Sequence, residues 1–83
     1  MNFIAEIDVM PLKELLDPQG KAVAAGLKNL KLDAVNDVRV GKHITLKLEA
    51  ADKAAATVQV ELACKKLLTN PVIEYFTFEV QEA

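Results

Sequence analysis

The 83-residue sequence holds one cysteine, Cys64, one histidine, His43, and no tryptophan. A single cysteine excludes an internal disulfide. One cysteine with one histidine also falls short of a structural zinc set. No run approaches the roughly 20 apolar residues of a membrane span. The opening "MNFIAEIDV" lacks the basic region and long apolar stretch of a signal peptide. Ten basic and twelve acidic residues give a formal charge of −2, with the signs interspersed along the chain. That balance lacks the basic stripe of a nucleic-acid footprint. These absences predict a soluble cytoplasmic protein that binds neither nucleic acid nor membrane. The length predicts a single domain over residues 1–83. So small a core gives modest stability, and with disulfide and metal set aside, association is the remaining way to add to it.

What is present is patterned. Phe3, Ala5, Ile7 and Val9 alternate with Glu6 and Asp8, the signature of a half-buried strand. It stops near Met10-Pro11, because proline donates nothing to a ladder. Asp17-Pro18 then starts a helix. Asp17 is an N-cap, and Pro18 at the first helical position loses no bond. The helix runs to about Leu30 with Val23, Leu27 and Leu30 on its core face. Gly20 and Gly26 weaken it, and a close approach of another backbone would explain them.

Residues 36–49 carry the most informative pattern. Val38, Val40, Ile44, Leu46 and Leu48 occupy even positions, and the odd positions are polar or glycine. A two-residue hairpin at Gly41-Lys42 would put residues 40 and 43 on one face and break that parity. The pattern therefore predicts one long strand, bent at Gly41. Such a strand would extend roughly 45 Å. A compact chain of this length has a radius of gyration of about 12 Å. Its ends would overhang the domain, leaving apolar side chains and free backbone edges for another chain to cover.

The alanine-rich stretch from Asp52 to Leu68 predicts a second helix, with Val60, Cys64 and Leu67 in one apolar row and Val58 and Leu62 on another side. Asn70-Pro71 ends it. Residues 72–80 form the last strand, with Phe76, Phe78 and Val80 facing one way and Tyr75, Thr77 and Glu79 the other. The order strand, helix, long bent strand, helix, strand predicts an α+β two-layer sandwich. A mainly antiparallel sheet, extended by oligomerisation, would carry both helices on one face. This is a relative of the ferredoxin-like fold. Breaking the long strand at Gly41 would restore the six-element ferredoxin order.

Chemistry is sparse. A nucleophilic pair of Cys64 and His43 would need an orienting acid, and Cys64 lies on the apparent core face, where a thiol is inert. "DPQGKA" lacks the first glycine and the Ser/Thr of a phosphate loop. Arg39 and Lys42, flanking Gly41, are candidates to grip a partner's carboxylates or a phosphate.

Three segments together resemble the PurS family, the small subunit of phosphoribosylformylglycinamidine (FGAM) synthase: "LDPQGKAV" at 16–23, "VNDVRVGKHITLKLE" at 35–49 and "CKKLLTNPVIEYFTFEV" at 64–80. The resemblance implies a non-catalytic subunit in de novo purine synthesis. The complete ligase converts formylglycinamide ribonucleotide, ATP, glutamine and water to FGAM, ADP, phosphate and glutamate. The implied partners are a PurQ-like glutaminase, a small PurL-like synthetase, and further copies of the chain as a homodimer or dimer of dimers. The subunit would bridge the two enzymes and assist ammonia transfer. It would bind no cofactor itself, with ATP and Mg used by the synthetase. Carried residue by residue, the resemblance marks Asp17, Pro18, Gly20, Asn70 and Pro71 as structural, and Arg39, Gly41 and Lys42 as subunit contacts. The alanine-rich "AADKAAATV" departs from the family's more charged second helix. The alternative is a homo-oligomeric ferredoxin-like regulatory module that binds a small metabolite.

Overall fold

The computed structural model describes residues 1–83. Its centre is strand β1 (Asn2–Pro11), flanked by β2 (Lys42–Glu49) and β3 (Glu74–Glu82) in the order β2-β1-β3, both pairings antiparallel. The alternation in β1 decides the layers. Phe3, Ala5, Ile7 and Val9 are buried, and Glu6 and Asp8 turn to the other face. The register carries this across the sheet: Ile7 lies opposite Ile44 and Phe78, and Ala5 opposite Leu46 and Val80.

Helix α2, which follows β2, spans Lys53–Ala63 and packs on β1 and β3. Asp52 caps it, accepting from the Ala55 N–H at 2.8 Å. Ala56, Val60 and Cys64 complete the core. Each fully buried Phe3, Ile7, Val9 and Val60 side chain stabilises the fold by about 1.5–3 kcal/mol. Beyond α2 the chain winds into a π-helical turn, Cys64–Leu68, closed by the Thr69 N–H donating to the Cys64 carbonyl at 3.0 Å. The wider turn corrects the expected apolar row. It carries Leu68 onto the core and leaves Leu67 83% exposed.

Helix α1, between β1 and β2, spans Pro18–Asn29 and behaves differently. Its start is as the sequence predicts, with Asp17 as N-cap and Pro18 first. Its end is closed by two bonds, Lys31 N–H to the Lys28 carbonyl and Leu32 N–H to the Leu27 carbonyl. Lys31 takes φ of 66° there, a position glycine usually fills. Yet α1 lies on neither the sheet nor α2, and Gly20 is its only buried residue. The expectation of two helices on one sheet face is corrected to one covering helix and one projecting arm. The molecule measures 51 × 26 × 14 Å, with a radius of gyration of 16.4 Å.

The second correction concerns the long strand. Only Lys42–Glu49 joins the ladder, and residues 36–41 run outside it. They form no hairpin, so the six-element alternative does not arise. The physical reason is competition: the Val40 N–H donates to a side chain rather than to a strand (2.8 Å to Asp17 Oδ2). The elongation comes from the arm, not from an overhanging strand. No helix is long and apolar enough to cross a membrane.

Candidate functional site

The motif residues of the two halves meet at one junction, where segment 38–41 crosses the turn from β1 to α1. Asp17 is buried and accepts twice, from the Gly20 N–H at 3.0 Å and the Val40 N–H at 2.8 Å. These bonds, Val40 first, hold its carboxyl below its ordinary range, with the Arg39 charge adding to the effect. The Arg39 guanidinium donates to the carbonyls of Leu12 at 2.5 Å, Leu15 at 3.0 Å and Pro11 at 3.4 Å. Its planar fork suits several acceptors at once.

Both glycines of the junction are places of close approach. A Cβ on Gly20 would lie 2.0 Å from the Val38 carbonyl oxygen. A Cβ on Gly41 would meet Met10 Sδ at 2.2 Å and the Val9 carbonyl oxygen at 2.4 Å. The expected backbone contact is therefore present at Gly20. It is absent at Gly26, where nothing lies within 4 Å. Lys42 is exposed beside the junction. Asn70 and Pro71 shape the turn into β3: Asn70 Oδ1 accepts from the Val72 N–H at 3.1 Å, and its own N–H donates to Glu74 Oε1 at 2.8 Å.

Apolar side chains stay uncovered in several places, Val58 and Leu62 on α2 and Leu67 beyond it among them, and two of these surfaces are an unpartnered helix and an uncovered part of the sheet. One is the arm, where Val23 and Leu30 are exposed and Leu27 half-buried. The other is the β2 side of the inner sheet face, where Ile44, Leu46 and Leu48 are only half-buried because α2 lies over β1 and β3. Contiguous exposed apolar area of this kind marks association surfaces.

Elsewhere the side chains do not assemble a nucleophilic centre. Cys64 is buried in the core, and burial pushes its thiol up. His43 sits on the opposite face of the sheet, so the pair weighed from the sequence is not brought together. Instead, His43 bridges two carboxylates of β1, with Nδ1 2.7 Å from Asp8 Oδ1 and Nε2 2.5 Å from Glu6 Oε2. Thr45 Oγ1 also donates to Glu6, at 2.9 Å. The bonds to Asp8 and then Glu6 raise the His43 pKa, and the His43 bond lowers that of Glu6. No group of three or more His, Cys, Asp or Glu side chains is placed to hold a metal ion.

The family model for PurS, "Phosphoribosylformylglycinamidine (FGAM) synthase", matches residues 4–82. The chain belongs to the PurS family. A PurS subunit of phosphoribosylformylglycinamidine synthase from Synechocystis sp. is 50% identical over 66 residues, covering 80% of this chain and 66% of its own. The PurS subunit of Bacillus subtilis is 44% identical over 72 residues, covering 86% of this chain and 84% of its own. Among solved structures, PurLQS from Thermotoga maritima contains a chain that superposes with a TM-score of 0.89 at 34% identity. The superposition covers 98% of this chain and 99% of that one. The PurS fold is thus the β-α-β-α-β arrangement with an antiparallel sheet described above.

The sequence places Asp17 and Gly20 in one segment and Arg39 and Gly41 in another, and the structure gathers all four. It missed Glu74, which locks the Asn70 turn, and Lys31 at the end of α1. Neither has a signal in the pattern: an ordinary glutamate and an ordinary lysine in polar stretches.

Proposed function

We propose that this chain serves phosphoribosylformylglycinamidine synthase as the non-catalytic bridge between a PurQ-like glutaminase and a small PurL-like synthetase. As a PurS-family chain it is a structural subunit of that multi-subunit ligase in purine biosynthesis. Residues 1–83 act as one PurS-like domain, in the cytoplasm. The reaction belongs to the partners: the glutaminase releases ammonia, and the synthetase uses ATP and Mg to activate the substrate amide. At neutral pH free ammonia is mostly ammonium, a poor nucleophile, so a closed junction between subunits favours transfer before protonation.

The observation that carries this reading is the pair of uncovered apolar surfaces in one small chain. The arm stripe of Val23, Leu27 and Leu30 lacks a sheet, and the sheet at Ile44, Leu46 and Leu48 lacks a helix. A second copy supplies each with what it lacks, which favours a homodimer or a dimer of dimers. Arg39 and Gly41 then act on the subunit contact by shaping the arm's base. Lys42, exposed beside them, meets a partner carboxylate directly.

The test is affinity capture of the tagged chain from its own cell extract with glutamine and Mg-ADP present, read by mass spectrometry. Recovery of a glutaminase and a large ATP-using synthetase is the expected result. Recovery of the homo-oligomer alone, under conditions that keep other weak complexes, would overturn the bridging role.

A further inference from the structure

We infer that Asp17 and Arg39 are positioning residues that fix the direction of the α1 arm relative to the sheet before any partner is bound. A helix that packs on its own domain is aimed by the apolar contacts along its face. The α1 helix has little such guide, since Gly20 is its only buried residue, Ala24 and Leu27 are half-buried, and neither the sheet nor α2 packs closely along it. Its aim is therefore decided at its base.

The base is joined there by two polar residues acting in opposite directions along the sequence. Asp17, at the start of the arm, reaches forward to the Val40 N–H at 2.8 Å while capping the arm through the Gly20 N–H at 3.0 Å. Arg39, just ahead of β2, reaches back to the carbonyls of Leu12 at 2.5 Å and Leu15 at 3.0 Å, in the connection between β1 and α1. The bonds cross, so the strand-to-helix connection and the segment leading into β2 are tied at two points. Two points of attachment restrict rotation where one would leave a pivot. Gly20 and Gly41 let the crossing backbones close, against the Val38 and Val9 carbonyls respectively. All of these contacts lie within one chain, so the restraint exists in the free subunit. Its use is preorganisation: an arm already aimed loses less freedom when it is captured.

The inference holds whichever partner takes the arm, and its test uses the purified full chain alone. Amide hydrogen exchange, resolved by residue, compares the wild type with Arg39→Ala, Asp17→Asn and a control, Lys47→Ala, at an exposed position away from the junction. Arg39→Ala leaves the Asp17 cap in place, so faster exchange of the arm does not simply report a lost N-cap. The expected result is exchange about tenfold or more faster across residues 18–41 in Arg39→Ala and Asp17→Asn, with the amides of β1 and β3 unchanged and the control like wild type. Unchanged exchange of residues 18–41 in Arg39→Ala would overturn the inference, because the arm would then be held by something else, such as a second copy. An equal rise through the whole sheet would overturn it too, since the junction would then be part of the global fold and not a local restraint. Loss of glutaminase capture would leave these readings intact, so the two failures are separable.

Discussion

The body of the molecule and its arm are stabilised by different physics. In the body, β1 is enclosed by two strands and α2, and apolar side chains at Phe3, Ile7, Val9 and Val60 are almost wholly removed from water. The arm is a helix of twelve residues, with Leu30 at its cap left 69% exposed, joined to the body through hydrogen bonds at its base. Isolated helices of that length are marginal in water. The arm is thus the part of the chain whose stability depends most on what it meets. The division suits a subunit that must keep its own sheet intact while offering a surface to others.

The comparison breaks first if the body is not the stable part. Ile7→Ala removes a fully buried side chain from the central strand and should cost about 2–5 kcal/mol, enough to unfold most of a domain this small. Leu30→Ala in the arm should change the stability of the dilute chain by about 0.5 kcal/mol or less, while weakening association. Urea denaturation at several chain concentrations separates the two. Equal losses from both substitutions in the dilute chain would remove the distinction between body and arm.

The junction offers a sharper contrast, because two glycines in the same helix face different surroundings. Gly20→Ala drives a methyl into the Val38 carbonyl and should destabilise by about 1–3 kcal/mol through displacement of segment 38–41. Gly26→Ala meets only open space and should stabilise the arm by about 0.5–1 kcal/mol. Lys31→Gly belongs with the second change, as it relieves a left-handed lysine at the arm's end, by up to about 1 kcal/mol. Thermal unfolding followed by circular dichroism reads all three signs. A stabilising Gly20→Ala would mean that the crossing at Val38 is not closed in solution.

The body was more legible in the sequence than the arm, and the reason is local. Strand alternation at Phe3, Ala5, Ile7 and Val9 states which side is buried regardless of what covers it. The same parity at Val38 and Val40 suggested a strand, but strand formation also needs a free neighbouring edge and available N–H groups. Asp17, more than twenty positions earlier, takes the Val40 N–H, a capture that no alternation pattern records. The helical spacing of Val23, Leu27 and Leu30 predicts a core face, and the structure leaves Val23 and Leu30 exposed, because spacing marks an apolar stripe without saying what covers it. Likewise Cys64 and Leu68, not Leu67, share the core side, because a π-helical turn breaks the 3.6-residue period. The junction at the base of the arm is visible in the sequence as separate motifs, and only folding shows that Asp17, Gly20, Arg39 and Gly41 act together.

The smallest expected effect lies on the body's open face, where a polar bridge adds to what packing already supplies. His43 donates to Asp8 and Glu6 with both ring nitrogens only when protonated. Its pKa is raised above the ordinary 6.5 by those bonds, Asp8 first, so its contribution to stability is complete below about that pH and is lost as pH rises through the higher folded value. Glu6 runs the other way. Its pKa is lowered from 4.5, chiefly by His43, so its contribution is present above that value and is lost as pH falls through the lower folded one. The bridge is therefore strongest between roughly pH 4.5 and 6.5, and Glu79, opposite Glu6 on the third strand, adds negative charge to the same face. The bridge is exposed and screened by salt, so its effect should be small and should shrink at high ionic strength. The measurement is the difference in urea midpoint between wild type and His43→Gln across pH 4 to 9. It should favour the wild type at mildly acidic pH and narrow towards alkaline pH, whereas a difference independent of pH would show that the imidazole acts there through packing alone.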